Sequence, residues 1–310
     1  MKRSVRCLIP ALLCLFLSAS AAQAGDRIER EQEQKFLRFV EDDDGGGKLE
    51  AAVVTYQNDK GVRVHLVSAV HVGERQYYDG LNKLFATYDA LLYEMVKPKD
   101  APVPEPGFQS GSMIGFFQRA LKDVLELEYQ LDAVNYQARN FVHADLDAET
   151  FERLQSERGE NLFVLMLRQI LNEMSRPQDQ RRKVQEPTFT ELIVALTSPD
   201  SARHLKMMLG RQFEDIEAQV AGFEGPNGSV ILTERNKAAM NVLDRTLAEG
   251  RKNIGIFYGA AHMNDLARRL NERGFRQVSA EWRTAWDMTP KEGDVVIKVV
   301  KKKPATQPAK

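Results

Sequence analysis

The sequence predicts a mixed α/β fold, in which two βαβ-like halves form one central mixed sheet and a helical insertion separates them. Two stretches near opposite ends of the chain follow the same pattern: a short apolar run, a turn with a histidine, an amphipathic helix and a second strand with a glutamate. Such paired units favour a pseudo-symmetric sheet. The long segment between them has apolar residues at three- and four-residue spacing, which is typical of helices.

The first half is expected to contain a hairpin, a turn, a helix and a returning strand that carries Glu94. These elements are Leu49–Gln57 with Val62–Val67, Ser68–His71, Glu74–Thr87 and Ala90–Val96. The second half repeats the order and ends in a strand that carries Glu281. Its elements are Ile254–Tyr258, Gly259–His262, Met263–Arg273 and Phe275–Trp282. In each half the histidine follows the carboxyl end of a strand, where side chains project into the crevice of an α/β sheet.

The ends of the chain set the expected boundaries. Residues 1–24 combine basic residues, an apolar core from Leu8 to Leu17 and a final Ala22-Gln23-Ala24. This is the pattern of a secretory signal cleaved after Ala24, so we expect a periplasmic or secreted protein that meets the membrane only during export. Residues 25–48 are predicted to form a mobile N-terminal arm and 49–290 the main domain, with the insertion at about 109–222. Residues 291–310 are predicted to form a C-terminal strand and a basic, disordered tail.

Composition excludes some classes of function. Both cysteines, Cys7 and Cys14, lie in the predicted signal, so the mature chain has no thiolate to act as nucleophile or ligand. The formal net charge is −1 and no basic stripe is present, which argues against nucleic acid as a partner. The motifs H-E-x-x-H and G-x-S-x-G and a Walker loop are absent from the sequence.

Within the insertion and after it, two further residues are candidates for a site. Asp145 precedes Asp147, the predicted N-cap of a helix, and is either a turn residue or a ligand. Arg235 falls in the first turn of a helix that Thr233 is expected to cap, where a positive charge opposes the helix dipole. Arg235 is therefore either a surface residue or the partner of a carboxylate.

Two imidazoles with one or more carboxylates are a common divalent-metal site. The candidate ligands are His71, His262 and Glu94, with Asp145 or Glu281 as a further carboxylate. The sequence leaves the metal open between Mn, Co and Zn. Such an ion lowers the pKa of bound water and polarises a carbonyl. The alternative is that each histidine caps its own helix and the two never meet.

The same motifs resemble the TraB/GumN family, which includes Tiki- and PrgY-like proteins. The matching segments are Ser68–His71, Glu94, Glu234-Arg235-Asn236 and Gly259–His262. Ser68 stands where the family has glycine. The resemblance covers about Leu49 to Trp286, and it implies a fold similar to that of Tiki, erythromycin esterase and ChaN proteins.

Two functions follow as expectations. One is a metal-dependent hydrolase, as the resemblance implies for the Tiki branch, acting on a peptide or small amide. In it a second carboxylate is the base, and Arg235 orients the substrate or a carboxylate. The other is a non-catalytic protein of the same fold that binds a peptide or haem through the histidines.

Overall fold

A computed structural model of the protein describes residues 34–103, 105, 107, 122–160, 193, 195, 197–221 and 228–292. Its strands are β1 (Leu37–Glu41), β2 (Gly47–Gln57), β3 (Arg63–Ala69), β4 (Val72–Gly73), β5 (Ala90–Tyr93), β6 (Glu128–Tyr129), β7 (Phe141–His143), β8 (Asn253–Gly259) and β9 (Arg276–Asp287). The α-helices are α1 (Arg75–Phe85), α2 (Gln130–Ala133), α3 (Ala148–Arg158), α4 (Ser201–Ala221), α5 (Arg235–Ala248) and α6 (Met263–Glu272). A π-helical turn (Val230–Glu234) precedes α5, and a 3₁₀ turn (Ala260–His262) precedes α6.

Seven strands form one mixed sheet in the order β1-β2-β3-β8-β5-β7, with β9 paired to β2. Strands β3, β8, β5 and β7 run parallel to one another, whereas β2 is antiparallel to β1, β3 and β9. Strand β8 comes from the second half of the sequence and lies between β3 and β5 of the first half. The predicted mixed α/β class, with one central sheet shared by both halves, is therefore confirmed.

Strand β8 is buried because helices cover both faces of this part of the sheet. Its residues Ile254, Ile256 and Tyr258 join a core under α5 and α6, whereas Phe257 joins a second core under α1. A strand covered on both faces reads as a continuous apolar run in the sequence, as Ile254–Tyr258 does. Gly255 is required here, since a Cβ at this position would lie 2.5 Å from the ring of Tyr88.

The structure differs from the sequence prediction in the middle of the chain. The prediction that the insertion at about 109–222 is helical is wrong at two short segments, because β6 pairs with β4 and β7 extends the main sheet beside β5. Helix α4 lies in this segment as predicted. The apolar spacing of Leu162–Met174 predicts a further helix, but these residues lie outside the described part of the chain.

Near the N-terminus, a strand replaces part of the predicted mobile arm. Strand β1 pairs with the first half of β2, and Phe36 and Leu37 are buried in the core. The predicted signal at 1–24 and the predicted tail after residue 292 lie outside the described residues. In the part of the chain that is described, no helix is both long and apolar enough to cross a membrane.

Helix caps explain where two helices begin. Asp147 caps α3 as predicted, since its side chain accepts from the Thr150 N–H at 2.7 Å. Thr233 does not cap the helix that carries Arg235. The capping side chain is Ser229, which accepts from the Leu232 N–H, and the chain then forms a π-turn before α5.

Replacing the α3 cap should have a measurable cost. We expect Asp147→Ala to lower the free energy of unfolding by about 1 kcal/mol, because an N-cap oxygen satisfies an otherwise unpaired backbone N–H. Asp147→Asn retains such an oxygen and should lie close to the wild type. Urea unfolding at pH 7 measures both, and equal losses in the two variants would contradict the cap.

Candidate functional site

Four parallel strands end at the same edge of the sheet, and each is followed by a polar residue that the sequence singled out. The carboxyl ends of β3, β8, β5 and β7 precede His71, His262, Glu94 and Asp145, respectively. Such an edge is the usual position of ligand sites in α/β sheets. Side-chain contacts link three of these residues, Glu94, Asp145 and His262, with Arg235 at the start of α5. We call these four residues the edge cluster.

Arg235 joins the two carboxylates of the edge cluster. Its Nη2 donates to Glu94 Oε1 at 2.7 Å and to Asp145 Oδ2 at 2.6 Å, and its Nε donates to Asp145 Oδ1 at 3.0 Å. The Asp145 side chain is fully buried, and that of Arg235 is 11 % exposed. Of the two interpretations of Arg235 from the sequence, the structure shows the carboxylate partner. Asp145 is thus bound in a bidentate ion pair, which fixes the guanidinium plane.

Glu94 is held as a carboxylate. Its second oxygen, Oε2, accepts from the backbone N–H of Gly259 at 2.6 Å. Burial alone would raise the pKa of Glu94, but Arg235, His262, His71 and the Gly259 N–H outweigh it and lower this pKa to about 2. Glu94 is therefore ionised at neutral pH and can only accept hydrogen bonds.

His262 is held as a neutral imidazole. Burial lowers its pKa to about 4, although Glu94 acts in the opposite direction. Its Nδ1 lies 2.7 Å from Asn236 Oδ1, while Asn236 Nδ2 donates to Asp265 Oδ2 at 2.8 Å. The Asn236 oxygen therefore faces the ring and must accept the Nδ1 proton, so Nε2 carries the lone pair.

Two acceptors consequently face each other across the edge cluster. Nε2 of His262 lies 3.7 Å from Glu94 Oε1, and at neutral pH the pair has no proton to share. Two acceptors at this separation repel unless a cation or a hydrogen-bond donor lies between them. The arrangement suits a positive or proton-donating ligand.

His71 lies at the rim of the same edge. Its ring is exposed, and its Nδ1 lies 3.1 Å from Gln130 Oε1. Its backbone carbonyl accepts from the Gln130 N–H at 2.9 Å. The short β4–β6 ribbon brings Gln130, the residue after β6, beside the histidine turn. His71 lies close enough to contribute to the lowered pKa of Glu94.

The predicted metal ligands fit a divalent cation in part. A neutral imidazole nitrogen and a carboxylate are usual ligands, and the Nδ1 of a ligating histidine normally donates to a fixed acceptor, as His262 does to Asn236. Across the described residues, however, no group of three or more His, Cys, Asp or Glu side chains is arranged to hold a metal ion. The fit therefore rests on the pair of Glu94 and His262, with His71 nearby.

Two residues from the sequence hypothesis lie differently from expectation. Glu281 is on β9, which β2 and β3 separate from β8, a distance of about 14 Å at the usual strand spacing. It is 64 % exposed and pairs with Arg283 at 3.0 Å, so the structure does not bring it to the edge cluster. Ser68 belongs to β3 instead of the turn, and its buried Oγ has no partner among the described residues.

Sequence reasoning gave no role to the two carboxamides that hold the histidines, Asn236 and Gln130. The signal for Asn236 was its place beside Arg235 in the first turn of α5, with Asp265 in the first turn of α6. Gln130 had no local signal, because its position depends on the pairing of β4 with β6, which are over 50 residues apart in the chain.

No protein family, curated protein or solved structure matches the chain significantly. The resemblance to TraB/GumN proteins therefore stays a prediction that rests on the short motifs in the sequence.

Proposed function

We propose that the protein is a metal-dependent hydrolase that acts on peptides or small amides outside the cytoplasm. The observation that supports it is the pair of opposed acceptors, Glu94 Oε1 and His262 Nε2, 3.7 Å apart at the carboxyl edge of the sheet. A buried carboxylate beside a neutral imidazole is suited to a divalent cation, which relieves their repulsion. The predicted export signal and the TraB/GumN-like motifs favour the same function.

Each residue of the site would have a separate task. Glu94 and His262 would hold the ion, and His71 would complete the ligand set from the solvent-exposed rim. Arg235 keeps Glu94 ionised and fixes its position, and Asp145 in turn holds Arg235. A bound divalent ion would supply a water of lowered pKa and polarise the substrate carbonyl. Because Asp145 is bound to Arg235 through both oxygens, it is not suited to be the base that the sequence suggested.

The first test is metal binding by the purified protein. Titration calorimetry with Mn²⁺ should show one site per chain, with binding lost in His262→Ala, which removes one of the two opposed ligand atoms, and in Glu94→Gln, which removes the negative charge of the other. His65→Ala is the matched control, since both nitrogens of His65 are already bound, to Thr55 and Asn253.

Hydrolysis provides the second measurement. A peptide library incubated with the Mn²⁺-loaded protein should be cleaved, and the two site variants should leave it intact. Absence of Mn²⁺ binding together with a Soret band after haem addition would contradict the hydrolase and favour the haem-binding alternative.

A further inference from the structure

The two histidines at the carboxyl edge are held in the same way, by carboxamides from different parts of the chain. Asn236 contacts His262 twice: its Oδ1 meets the ring Nδ1 at 2.7 Å, and its Nδ2 donates to the His262 backbone carbonyl at 3.3 Å. Gln130 also contacts His71 twice, through Oε1 to Nδ1 at 3.1 Å and through its backbone N–H to the carbonyl at 2.9 Å. Each of the two residues therefore contacts both the ring and the backbone carbonyl of its histidine, Asn236 with its carboxamide alone and Gln130 with its carboxamide and its backbone N–H.

Each carboxamide is itself fixed in orientation and buried. Asn236 is 0 % exposed, and its Nδ2 donates to Asp265 Oδ2. The same oxygen accepts from Arg269 Nε at 2.7 Å, which fixes its position. Gln130 is 6 % exposed, and its Nε2 donates to the Tyr136 hydroxyl at 2.7 Å. With the amide nitrogens occupied elsewhere, both amide oxygens face the rings and accept the Nδ1 protons.

Two histidines outside the edge cluster, His65 and His143, meet a fixed oxygen acceptor through the other nitrogen, Nε2. His65 contacts Asn253 Oδ1 through Nε2 at 2.7 Å, and His143 contacts the Met95 carbonyl through Nε2 at 2.6 Å. A carboxamide partner can therefore face either ring nitrogen, since Asn253 holds His65 in the opposite tautomer. The Nδ1–H form is shared by the two histidines that follow parallel strands.

We propose that Asn236 and Gln130 are positioning residues that hold His262 and His71 as Nδ1–H tautomers, so that both Nε2 lone pairs are available to a ligand. A carboxamide oxygen accepts the hydrogen bond from Nδ1–H and carries no net charge. It orients the ring without stabilising an imidazolium, as a carboxylate in the same place would. The step from tautomer to ligand binding rests on the proposed function, whereas the tautomers themselves do not.

The test reads the tautomers directly. In ¹⁵N-labelled, metal-free protein, long-range ¹H–¹⁵N correlation spectra distinguish protonated from unprotonated ring nitrogens. We expect Nδ1 to be protonated in His71 and His262 and Nε2 to be protonated in His65. In Asn236→Ala the Nε2–H form of His262 should become populated, while His71 is unchanged; Gln130→Ala should do the reverse. Asn253→Ala is the matched control and should affect only His65.

A conservative variant separates orientation from folding. Asn236→Asp keeps an oxygen opposite Nδ1 and should restore the Nδ1–H form that Asn236→Ala loses, even if both variants are less stable. Mn²⁺ affinity should fall by about 10- to 100-fold in Asn236→Ala, as is usual when a partner of a ligating histidine is removed.

The outcomes are distinguishable. Nε2–H tautomers at His71 and His262 in the wild type, or an unchanged His262 in Asn236→Ala, would overturn the positioning role. Correct tautomers in a protein that does not bind Mn²⁺ would overturn the proposed function and leave the positioning role in place.

Discussion

Replacing Arg235 with methionine should lower the free energy of unfolding at pH 7 by about 3–5 kcal/mol, because the change leaves two buried carboxylates without their shared cation. Asp145 has a fully buried side chain, and the Glu94 side chain is only 16 % exposed. Methionine keeps an unbranched apolar stem and removes the guanidinium, so the unpaired carboxylates account for most of the expected loss. Urea unfolding followed by far-UV circular dichroism measures the difference.

The loss of stability in Arg235→Met should become smaller as pH falls. The pKa of Glu94 is lowered to about 2 in the folded protein, so the stability it contributes is complete above its unfolded pKa and is lost as pH falls towards 2. Without Arg235 the main cause of that lowering is gone, and the variant can protonate Glu94 at higher pH. The difference between wild type and Arg235→Met should therefore be smaller at pH 4 than at pH 7.

An exposed arginine provides the control. Arg153 pairs with Glu157 on the surface of α3, with side chains 58 % and 55 % exposed, and Arg153→Met should cost at most about 0.5 kcal/mol. If Arg235→Met cost no more than Arg153→Met, or if its cost did not depend on pH, the buried ion pair would not have the energetic role assigned to it.

The parts of the fold that the sequence predicted are those with a strong local pattern. Strand β8 is a continuous apolar run, and the helices after both histidine turns have clear amphipathic spacing, so both crossover units were recognised. Strand β7 has three residues and β6 has two, too few for any periodic pattern to show. Strand β1 lies in a charged segment, and its pairing with β2 supplies the order that its own sequence does not indicate.

The residues of the candidate site were likewise predicted where a local pattern was present. Glu94, Asp145 and His262 meet because each follows a strand of the same parallel group. The sequence pattern indicated this position for His262 and placed Glu94 on its strand, whereas β7, the strand before Asp145, was not predicted. Glu281 was grouped with them by analogy between the two halves. The analogy fails because β5 pairs directly with β8, whereas β9 pairs with β2 at the other side of the sheet. Strand order depends on contacts between distant segments, and a single sequence does not encode it locally.

Trp286 is expected to be the most costly single truncation in the core. It is fully buried, its ring meets Phe213 of α4 edge-on at 5.2 Å, and its Nε1–H donates to the Val72 carbonyl at 2.7 Å. The neighbouring Glu74 N–H donates to the Ala285 carbonyl at 2.8 Å. The end of β9 thus fixes the segment that follows His71, and packing in the core supports the geometry of the candidate site.

We expect Trp286→Ala to lower the free energy of unfolding by about 3–5 kcal/mol, since it removes a large buried ring, leaves a cavity and leaves the Val72 carbonyl without its partner. Trp286→Phe retains most of the ring and should cost about 1–2 kcal/mol, mainly through the lost hydrogen bond. Urea unfolding measures both.

The other tryptophan of β9, Trp282, is the matched control. It is partly exposed, with Arg38 over its ring at 4.0 Å, so Trp282→Ala should cost at most about 2 kcal/mol. Equal costs for the two alanine variants would show that the end of β9 does not anchor the histidine turn in the way the contacts indicate.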